Sequence, residues 1–358
     1  MTKLFDPMTY THGPAQKNRF MLAPLTNTQS HEDGTLSDDE YNWLTMRAKG
    51  GFGATMTCAV HVQAAGQGFP GQLGIFSDDH LPGLTRLAAG IRQEDSLAIA
   101  QLHHAGMRAP RELIGEAPLC PSTDEETGAR EMTSGEVEQL IADFVDAAKW
   151  AEKAGFDGVE VHGAHGYVLC QFLSSDINRR NDKYGGSLDN RARMINEVIA
   201  GIRETCDNDF NVSVRLSPER FGMRLGEVTQ VAQTLMKEGV IDFLDMSLWD
   251  VGKEPEEEEF QGRSLMSYFT ELDRGDVRLG VAGKIYDAET ANLCLEQGCD
   301  FVLIGRGAIL HHDYPNQVRN DDTFAVVPRP VTADYLRSQG LGEKFVSYMA
   351  TWKGFVEG

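Results

Sequence analysis

The 358 residues of this chain include 54 Asp and Glu against 33 Lys and Arg, which gives a formal net charge of −21. Such an acidic excess repels nucleic acid and anionic lipid, so neither is expected as a partner. The hydrophobic fraction of 41% is typical of a globular protein, and no stretch has the apolar length of a membrane span. Because no basic region followed by an apolar run opens the chain, we expect no secretory signal and a cytoplasmic location.

Short apolar or β-branched segments alternate along the chain with longer segments of helical period. Several are continuously apolar, as expected of parallel strands buried on both faces. Eight strands alternating with helices predict a parallel α/β sheet closed into a (β/α)8 barrel, although a doubly wound sheet gives a similar count. No change in composition marks a second domain, so residues 1–358 are assigned to one domain. The predicted strands are Arg19–Ala23, Ala54–Ala59, Leu97–Leu102, Gly158–His162, Val212–Leu216, Phe243–Ser247, Arg278–Ala282 and Phe301–Ile304.

Helices are predicted between these strands, and some begin at typical capping residues. Ser37 and Ser134 are the expected N-caps of the first and third helices. Two connections, His104–Thr133 and Gly163–Asn190, are long enough to be extended loops beside an active site. The predicted helices are Ser37–Lys49, Leu81–Glu94, Ser134–Ala154, Arg191–Cys206, Val228–Glu238 and Ala288–Gln297.

Six cysteines are scattered along the chain and form no C-x-x-C pair. This spacing argues against iron–sulfur clusters and structural zinc, so we expect buried or free thiols and no bound metal.

Gly66, Gly68 and Gly71 form a G-x-G-x-x-G pattern, which occurs in dinucleotide-binding loops. That fingerprint requires a helix directly after the loop, whereas Pro70 interrupts it and residues 72–77 lack helical period. We therefore interpret this segment as a glycine-rich loop.

Two histidines and a tyrosine follow the fourth predicted strand, in the order His162, His165 and Tyr167. Barrel active sites lie at the C-terminal ends of the strands. Neutral imidazoles can polarise a carbonyl oxygen and a tyrosine can donate a proton, which makes this segment a candidate catalytic site. Hydrogen-bonded core histidines, or a metal site without a clear third ligand, are the alternatives.

Glycine and a basic residue follow the last two predicted strands, as Gly283-Lys284 and Gly305-Arg306. Loops in these positions form the common phosphate site of barrels, because glycine lets backbone amides approach the phosphate and arginine binds it with two hydrogen bonds. Tight turns that require glycine are the alternative.

Two polar residues end apolar strands, Arg215 in the fifth and Gln101 in the third. A buried arginine requires an anion, either the negative charge of a reduced flavin or a carboxylate such as that of Glu160 or Asp245. Gln101 has the donors and the acceptor that suit an amide-like ring edge.

With these residues assembled, the sequence resembles the old yellow enzyme family of NAD(P)H:flavin oxidoreductases over nearly its whole length. The most specific segment is 178–187, followed by Asn190 and Arg191. The other matching segments are 4–7, 18–26, 101–106, 162–167 and 171–173.

The resemblance implies an FMN-binding barrel that takes hydride from NADH or NADPH and reduces the C=C bond of an α,β-unsaturated carbonyl compound. It also implies that His162 and His165 bind the substrate oxygen and that Tyr167 donates the proton. An FMN-dependent N-methyl amine demethylase and a phosphate-binding barrel without flavin are the alternatives. The FMN contacts that the resemblance implies are Pro24, Thr26, Ala59 and Gln101 at the ring, Arg215 at its pyrimidine end, and Gly283, Gly305 and Arg306 at the phosphate.

The C-terminal segment 343–356 carries apolar residues at helical spacing: Phe345, Met349, Trp352 and Val356. Packing on the barrel of the same chain is one interpretation. An interface between copies of the chain in a homo-oligomer is the other.

Overall fold

Eight parallel strands close into a barrel in the computed structural model, which describes residues 3–358. Each strand pairs with its neighbours in sequence, and the eighth pairs with the first. The predicted (β/α)8 barrel is therefore confirmed, and the ends of the predicted strands differ from the observed ends by at most two residues. The strands are β1 (Phe20–Leu22), β2 (Ala54–His61), β3 (Leu97–His103), β4 (Gly158–Gly163), β5 (Asn211–Leu216), β6 (Phe243–Ser247), β7 (Arg278–Ala282) and β8 (Phe301–Ile304).

An apolar layer fills the barrel at the N-terminal end of the strands. Met21, Met56, Ile99, Phe243 and Phe301 are buried there in one cluster. Phe243 and Phe301 meet edge to face, with ring centroids 5.4 Å apart. The barrel is therefore a packed core at this end rather than a pore.

Helices cover the outside of the barrel, and a larger apolar core lies between them and the strands. Each has an apolar face at helical spacing that packs inward. The longer helices are Asp38–Lys49, Leu81–Arg92, Ser134–Lys153, Leu188–Thr205, Leu225–Glu238 and Ala288–Glu296.

The capping residues of two helices test the predicted helix starts. Ser37 is an N-cap as expected, since its side chain accepts a hydrogen bond from the Glu40 backbone N–H. The prediction for Ser134 is wrong by one residue, because Thr133 is the N-cap and forms a capping box with Glu136. The threonine and the glutamate three residues later satisfy two backbone N–H groups reciprocally, which Ser134 is not placed to do.

The connections after β3 and β4 are extended, as predicted, and both contain short elements. The first has the helix Arg111–Ile114 and two paired strands, Leu119–Cys120 and Arg130–Glu131. The second has the helix Val168–Leu173. Both connections start at the C-terminal ends of their strands and supply residues to that end of the barrel.

The glycine-rich segment after β2 opens no helix, because the next helical turn begins at Asp78. Gly66 packs on the His104 ring, where an added Cβ would lie 2.4 Å from a ring carbon. The interpretation as a glycine-rich loop is consistent with this structure.

The C-terminal segment forms the helix Glu343–Ala350, in which Phe345 and Met349 are fully buried. The Phe345 ring meets Trp43 edge to face at 4.8 Å. This helix therefore packs on its own chain, and its participation in an oligomer stays a prediction.

All six cysteines are free and buried. Within residues 3–358, no helix has the length and apolar character needed to cross a membrane. Over the same residues, no group of three His, Cys, Asp or Glu side chains is arranged to hold a metal ion.

Candidate active site

A cavity of about 690 Å³ opens at the C-terminal ends of the barrel strands, and its volume is that of a ligand pocket. Three of the eleven site residues predicted from the sequence, Ala59, Gln101 and His162, do not line it. The other eight do: Pro24, Thr26, His165, Tyr167, Arg215, Gly283, Gly305 and Arg306.

The candidate catalytic residues after β4 form one cluster of rings beside the cavity. The His162 ring centroid lies 5.1 Å from that of His165 and 5.3 Å from that of Tyr167. The chain turns sharply here, with φ of +60° at His165 and +70° at Gly166. Left-handed backbone is uncommon for a histidine, and it lets the segment fold back so that all three rings meet.

Both histidines of the cluster are held in the neutral form. Burial lowers the pKa of His162 and of His165 well below the usual value, and for His165 the positive charges of Arg215 and Arg108 add to this effect. His165 Nε2 lies 2.7 Å from Ser247 Oγ, whereas the buried His162 Nδ1 has no partner among the described residues. Neutral imidazoles retain an N–H that can be donated to a ligand oxygen.

Tyr167 remains protonated at neutral pH, because burial raises the pKa of its hydroxyl while the nearby Arg108 opposes that rise. A protonated phenol beside two neutral imidazoles can act as a general acid. The cluster therefore offers hydrogen-bond donors and one transferable proton.

A third histidine, His103, belongs to this cluster and was missed in the sequence. Its ring lies 4.3 Å from that of Tyr167. Gln72 accepts from the Gly68 N–H through Oε1, so its Nε2 is the donor that lies 3.1 Å from His103 Nδ1. His103 Nδ1 is therefore an acceptor, and the proton of the neutral ring is on Nε2. The sequence feature that could have indicated it is the pair His103 and His104 at the end of the third strand.

Arg215 contacts a carboxylate, as one of the two sequence-based interpretations required. Its Nε lies 2.9 Å from Asp245 Oδ2, although the N–H is not aligned for a hydrogen bond. Its Nη2 donates to Ser247 Oγ at 3.3 Å. Burial raises the pKa of Asp245 and of the adjacent Glu160, while the positive charge of Arg215 opposes the rise at both carboxyl groups.

The side-chain amide of Gln101 is bound within the protein, since its Nε2 donates to Glu160 Oε1 at 2.7 Å. The Ala59 carbonyl likewise accepts from Gln72 at 2.8 Å. Thr26 lines the cavity, and its hydroxyl has no hydrogen-bond partner among the described residues. Of these three residues, Thr26 therefore has a side chain free for a ligand.

The glycines after β7 and β8 serve different purposes. A Cβ on Gly283 would come within 2.7 Å of the Asp250 backbone nitrogen, so close packing of two loops requires glycine there. A Cβ on Gly305 would meet its nearest atom at 3.6 Å, which leaves open space toward the cavity. Neither has a positive φ, so a left-handed turn is not the reason for either glycine.

The cavity lining is basic in an otherwise acidic chain. Four arginines and one lysine line it, and no Asp or Glu does. Several of these residues belong to no sequence motif, because they come from separate loops. The lining residues that were missed include Arg108, Arg220, Phe221, Trp249, Tyr286, Tyr348 and Trp352, whereas Lys284 lies in the predicted Gly283-Lys284 pair.

His162, His165 and Tyr167 are called the donor cluster below. The closed barrel has this cluster and a basic cavity at the C-terminal ends of its strands, which is the arrangement of a barrel enzyme for an anionic ligand. Comparisons with known proteins narrow this class. The family model described as NADH:flavin oxidoreductase / NADH oxidase matches residues 3–323.

Individual relatives agree with the family model. The chain is 34% identical to the "Probable NADH-dependent flavin oxidoreductase YqiG" of Bacillus subtilis (strain 168), over 88% of this chain and 87% of that protein. It is 33% identical to the "NADH:acrylate oxidoreductase" of Vibrio harveyi over 91% of this chain, but spans only 34% of that protein. The structure of an old yellow enzyme homologue from Zymomonas mobilis matches with a TM-score of 0.81 and 26% identity, over 97% of this chain and 99% of that one.

The chain belongs to the NADH:flavin oxidoreductase / NADH oxidase family, which includes the old yellow enzymes. It is an oxidoreductase that uses FMN and a nicotinamide hydride donor.

Proposed function

We propose that this protein reduces the C=C bond of α,β-unsaturated carbonyl compounds with hydride from NADH or NADPH. The observation that carries the proposal is the meeting of His162, His165 and Tyr167 beside one cavity, as two neutral imidazoles and a protonated phenol. The imidazole N–H groups suit a carbonyl oxygen that accepts hydrogen bonds, and the phenol suits a carbon that must be protonated.

The cavity residues fit FMN by the chemistry of their donors. The Arg306 guanidinium has no ion pair with any residue in 3–358, and the space beside Gly305 is open, which suits a phosphate. The Thr26 hydroxyl in the cavity lining and the Arg215 guanidinium, whose Nε–H has no hydrogen-bond partner among the described residues, suit a polar ring with hydrogen-bonding edges. When bound, FMN supplies reversible two-electron hydride chemistry. The proposed contacts are Pro24, Thr26, Ala59 and Gln101 for the ring, Arg215 for its pyrimidine end, and Gly283, Gly305 and Arg306 for the phosphate.

The residues of the donor cluster have separate roles in substrate binding and protonation. His162 and His165 donate N–H groups to the substrate carbonyl oxygen and so draw electron density away from the β carbon. Tyr167 delivers its hydroxyl proton to the α carbon and then recovers one from solvent. The surrounding rings hold the substrate in one orientation and exclude water.

The alternative reaction, oxidation of an N-methyl amine, receives less support from the charges. An amine is cationic at neutral pH, whereas the cavity lining has five basic side chains and no acidic one. A phosphate-binding barrel without flavin is contradicted by the family to which the chain belongs.

Spectroscopy and anaerobic kinetics of the purified protein test the proposal. We expect a yellow protein whose heat-released chromophore is FMN and not FAD. NADH or NADPH should bleach it, and an enone such as 2-cyclohexenone should restore the colour and yield the saturated ketone. Bleaching by N-methyl amines, without recovery by enones, would favour the alternative reaction. The cytoplasmic location expected from the sequence stays a prediction.

A further inference from the structure

Two arginines of the cavity wall, Arg108 and Arg220, have no ion-pair partner among residues 3–358. The other basic lining residues have a partner or an assigned ligand, since Arg215 contacts Asp245 and Lys284 contacts Asp250 at 2.8 Å. Arg306 is assigned to the FMN phosphate. Two unneutralised guanidinium groups at one cavity therefore remain without a role.

Arg108 lies directly against the donor cluster. Its guanidinium carbon is 4.7 Å from the centroid of the Tyr167 ring, and its Nη1 donates to the His165 backbone carbonyl. No other hydrogen bond of this guanidinium is formed within the described part of the chain. The remaining N–H groups are therefore free to bind an anion beside the proton donor.

Arg220 belongs to a strained segment of the cavity wall. Its guanidinium carbon is 4.5 Å from the centroid of the Trp249 ring. Arg220, Phe221 and Trp249 have φ of +68°, +53° and +68°, and Trp249 is 52% exposed. Left-handed backbone at large side chains costs energy and is concentrated at functional sites, so this wall is shaped for a ligand.

We propose that Arg108 and Arg220 form an anion subsite for a carboxylate carried by the unsaturated carbonyl substrate. The proposal rests on the proposed function and narrows its substrate class to unsaturated oxo acids, such as 4-oxo-2-enoates. The oxo group accepts hydrogen bonds from the two histidines, and the carboxylate binds the two arginines. One hydride and one proton add across the C=C bond, and the carboxylate is unchanged.

A phosphate of the nicotinamide donor has the same anionic chemistry, but it fits Arg108 less well. The nicotinamide ring must reach the reacting position, and its phosphates are separated from that ring by a ribose. Arg108 lies in contact with Tyr167 and His165 at the reacting position itself. The two sources of negative charge are separable because they act in different half-reactions.

The test compares 4-oxo-2-pentenoate with its methyl ester, which lacks the charge but has the more electrophilic C=C bond, so the acid-to-ester ratio of each variant is compared with the ratio of the wild type. We expect the wild-type FMN enzyme to have a higher kcat/KM for the acid, and added salt to reduce this preference. Arg108→Met should lower the acid-to-ester ratio about 10- to 100-fold, the range expected for a lost charge-assisted hydrogen-bond pair. Arg220→Met should lower it less, and Arg108→Lys should restore part of it.

Arg86→Met is the matched control, because Arg86 also lies over a tyrosine ring, that of Tyr41 at 4.0 Å, on a distant helix. It should leave the ratio unchanged. An acid-to-ester ratio that is the same in the wild type and in Arg108→Met overturns the inference. So does an Arg108→Met effect confined to flavin reduction by NADH or NADPH. If neither compound nor any neutral enone is reduced by enzyme that accepts hydride, the proposed function itself fails. If both compounds are reduced and Arg108→Met does not change their ratio, only the subsite fails.

Discussion

The two ends of the barrel are built from the same strands and differ completely in character. Alternate residues of a strand point to the same face of the sheet. One strand therefore supplies inward-facing side chains at both ends of the barrel. In β3, Leu97 and Ile99 belong to the apolar layer, whereas Gln101 ends in a buried hydrogen bond to Glu160. In β6, Phe243 belongs to the apolar layer, and two residues later Asp245 contacts an arginine.

Hydrogen bonding also differs between the two ends. Among the strand residues, most buried side-chain atoms without a hydrogen-bond partner lie toward the C-terminal end, as on Glu160, His162, Arg215 and Asp245, and Asn211 Oδ1 at the start of β5 is an exception. Such atoms destabilise a fold by roughly 1–3 kcal/mol each unless a ligand or water satisfies them. The N-terminal layer therefore stabilises the barrel, and the C-terminal layer gives up stability for groups that bind and react.

The largest expected effect lies in the C-terminal layer. Tyr167→Phe should slow the reaction with enones by about 10²- to 10⁴-fold, because the proton donor of the α carbon is removed. Hydride uptake from NADH or NADPH and binding of phenol-type ligands should be retained. Single-turnover kinetics resolve the two half-reactions. An unchanged rate with enones means that another acid or solvent donates the proton.

The N-terminal layer should respond in stability and not in chemistry. Phe301→Ala should lower the free energy of unfolding by about 3–5 kcal/mol, since it leaves a cavity against Phe243. The folded, FMN-loaded variant should keep kcat/KM within about threefold of the wild type. Leu293→Ala is the control, because Leu293 is 46% exposed and should change stability little. Denaturant titration measures the free energy of unfolding of both variants, and steady-state kinetics measure kcat/KM. A large loss of kcat/KM in Phe301→Ala would contradict the assignment of this layer to stability alone.

Arg215 should connect stability with redox chemistry. Arg215→Met leaves Asp245 without its cation and should lower the free energy of unfolding by about 3 kcal/mol at pH 8. Adding Asp245→Asn should recover much of this loss. If Arg215 also compensates negative charge on the flavin, Arg215→Met should lower the flavin midpoint potential, and the double variant, which removes one charge of each sign, should lower it less. A redox titration that gives the wild-type potential for Arg215→Met would leave Arg215 with the structural role alone.

The histidines should affect binding and reaction together. His162→Ala should weaken phenol-type ligands and slow flavin reoxidation by enones by about 10²-fold, the usual loss on removal of one such donor. His165→Ala should behave alike, and the exposed His31→Ala serves as the control. Ligand titration by visible absorption measures the binding. Normal binding combined with loss of a metal from the histidine variants would revive the metal-site alternative.

The smallest expected effect concerns pH. Burial raises the pKa of Glu160 to about 8, so the folded state holds a proton that the unfolded state releases near the ordinary carboxyl pKa. Stability should therefore fall as pH rises between those two values. Glu160→Gln cannot ionise and should reduce this loss by about 1–2 kcal/mol between pH 6 and pH 8. Denaturant unfolding at several pH values checks it, with the exposed Glu112→Gln as control; parallel profiles for wild type and Glu160→Gln would contradict it.

Local features of the sequence were sufficient for most of the fold. Strand segments such as Phe243–Ser247 and Phe301–Ile304 were predicted with their observed bounds, because continuous apolar runs between helices leave little choice of structure. Helix starts were less reliable. The capping box of Thr133 and Glu136 depends on hydrogen bonds between side chains and the backbone. The spacing of apolar residues, which predicts the body of the helix, does not show which residue is the N-cap.

The eight strands, their burial and the polar residues that end them follow from the sequence alone, because the character of a strand depends on its own residues. The sequence also located His162, His165 and Tyr167, which lie within one short segment. Which distant loops meet around the cavity, by contrast, depends on how the whole chain folds. Arg108 and Arg220 follow different strands, and barrel closure brings both side chains to the lining of one cavity. No local pattern records that proximity, because it is set by the register and the curvature of the whole sheet.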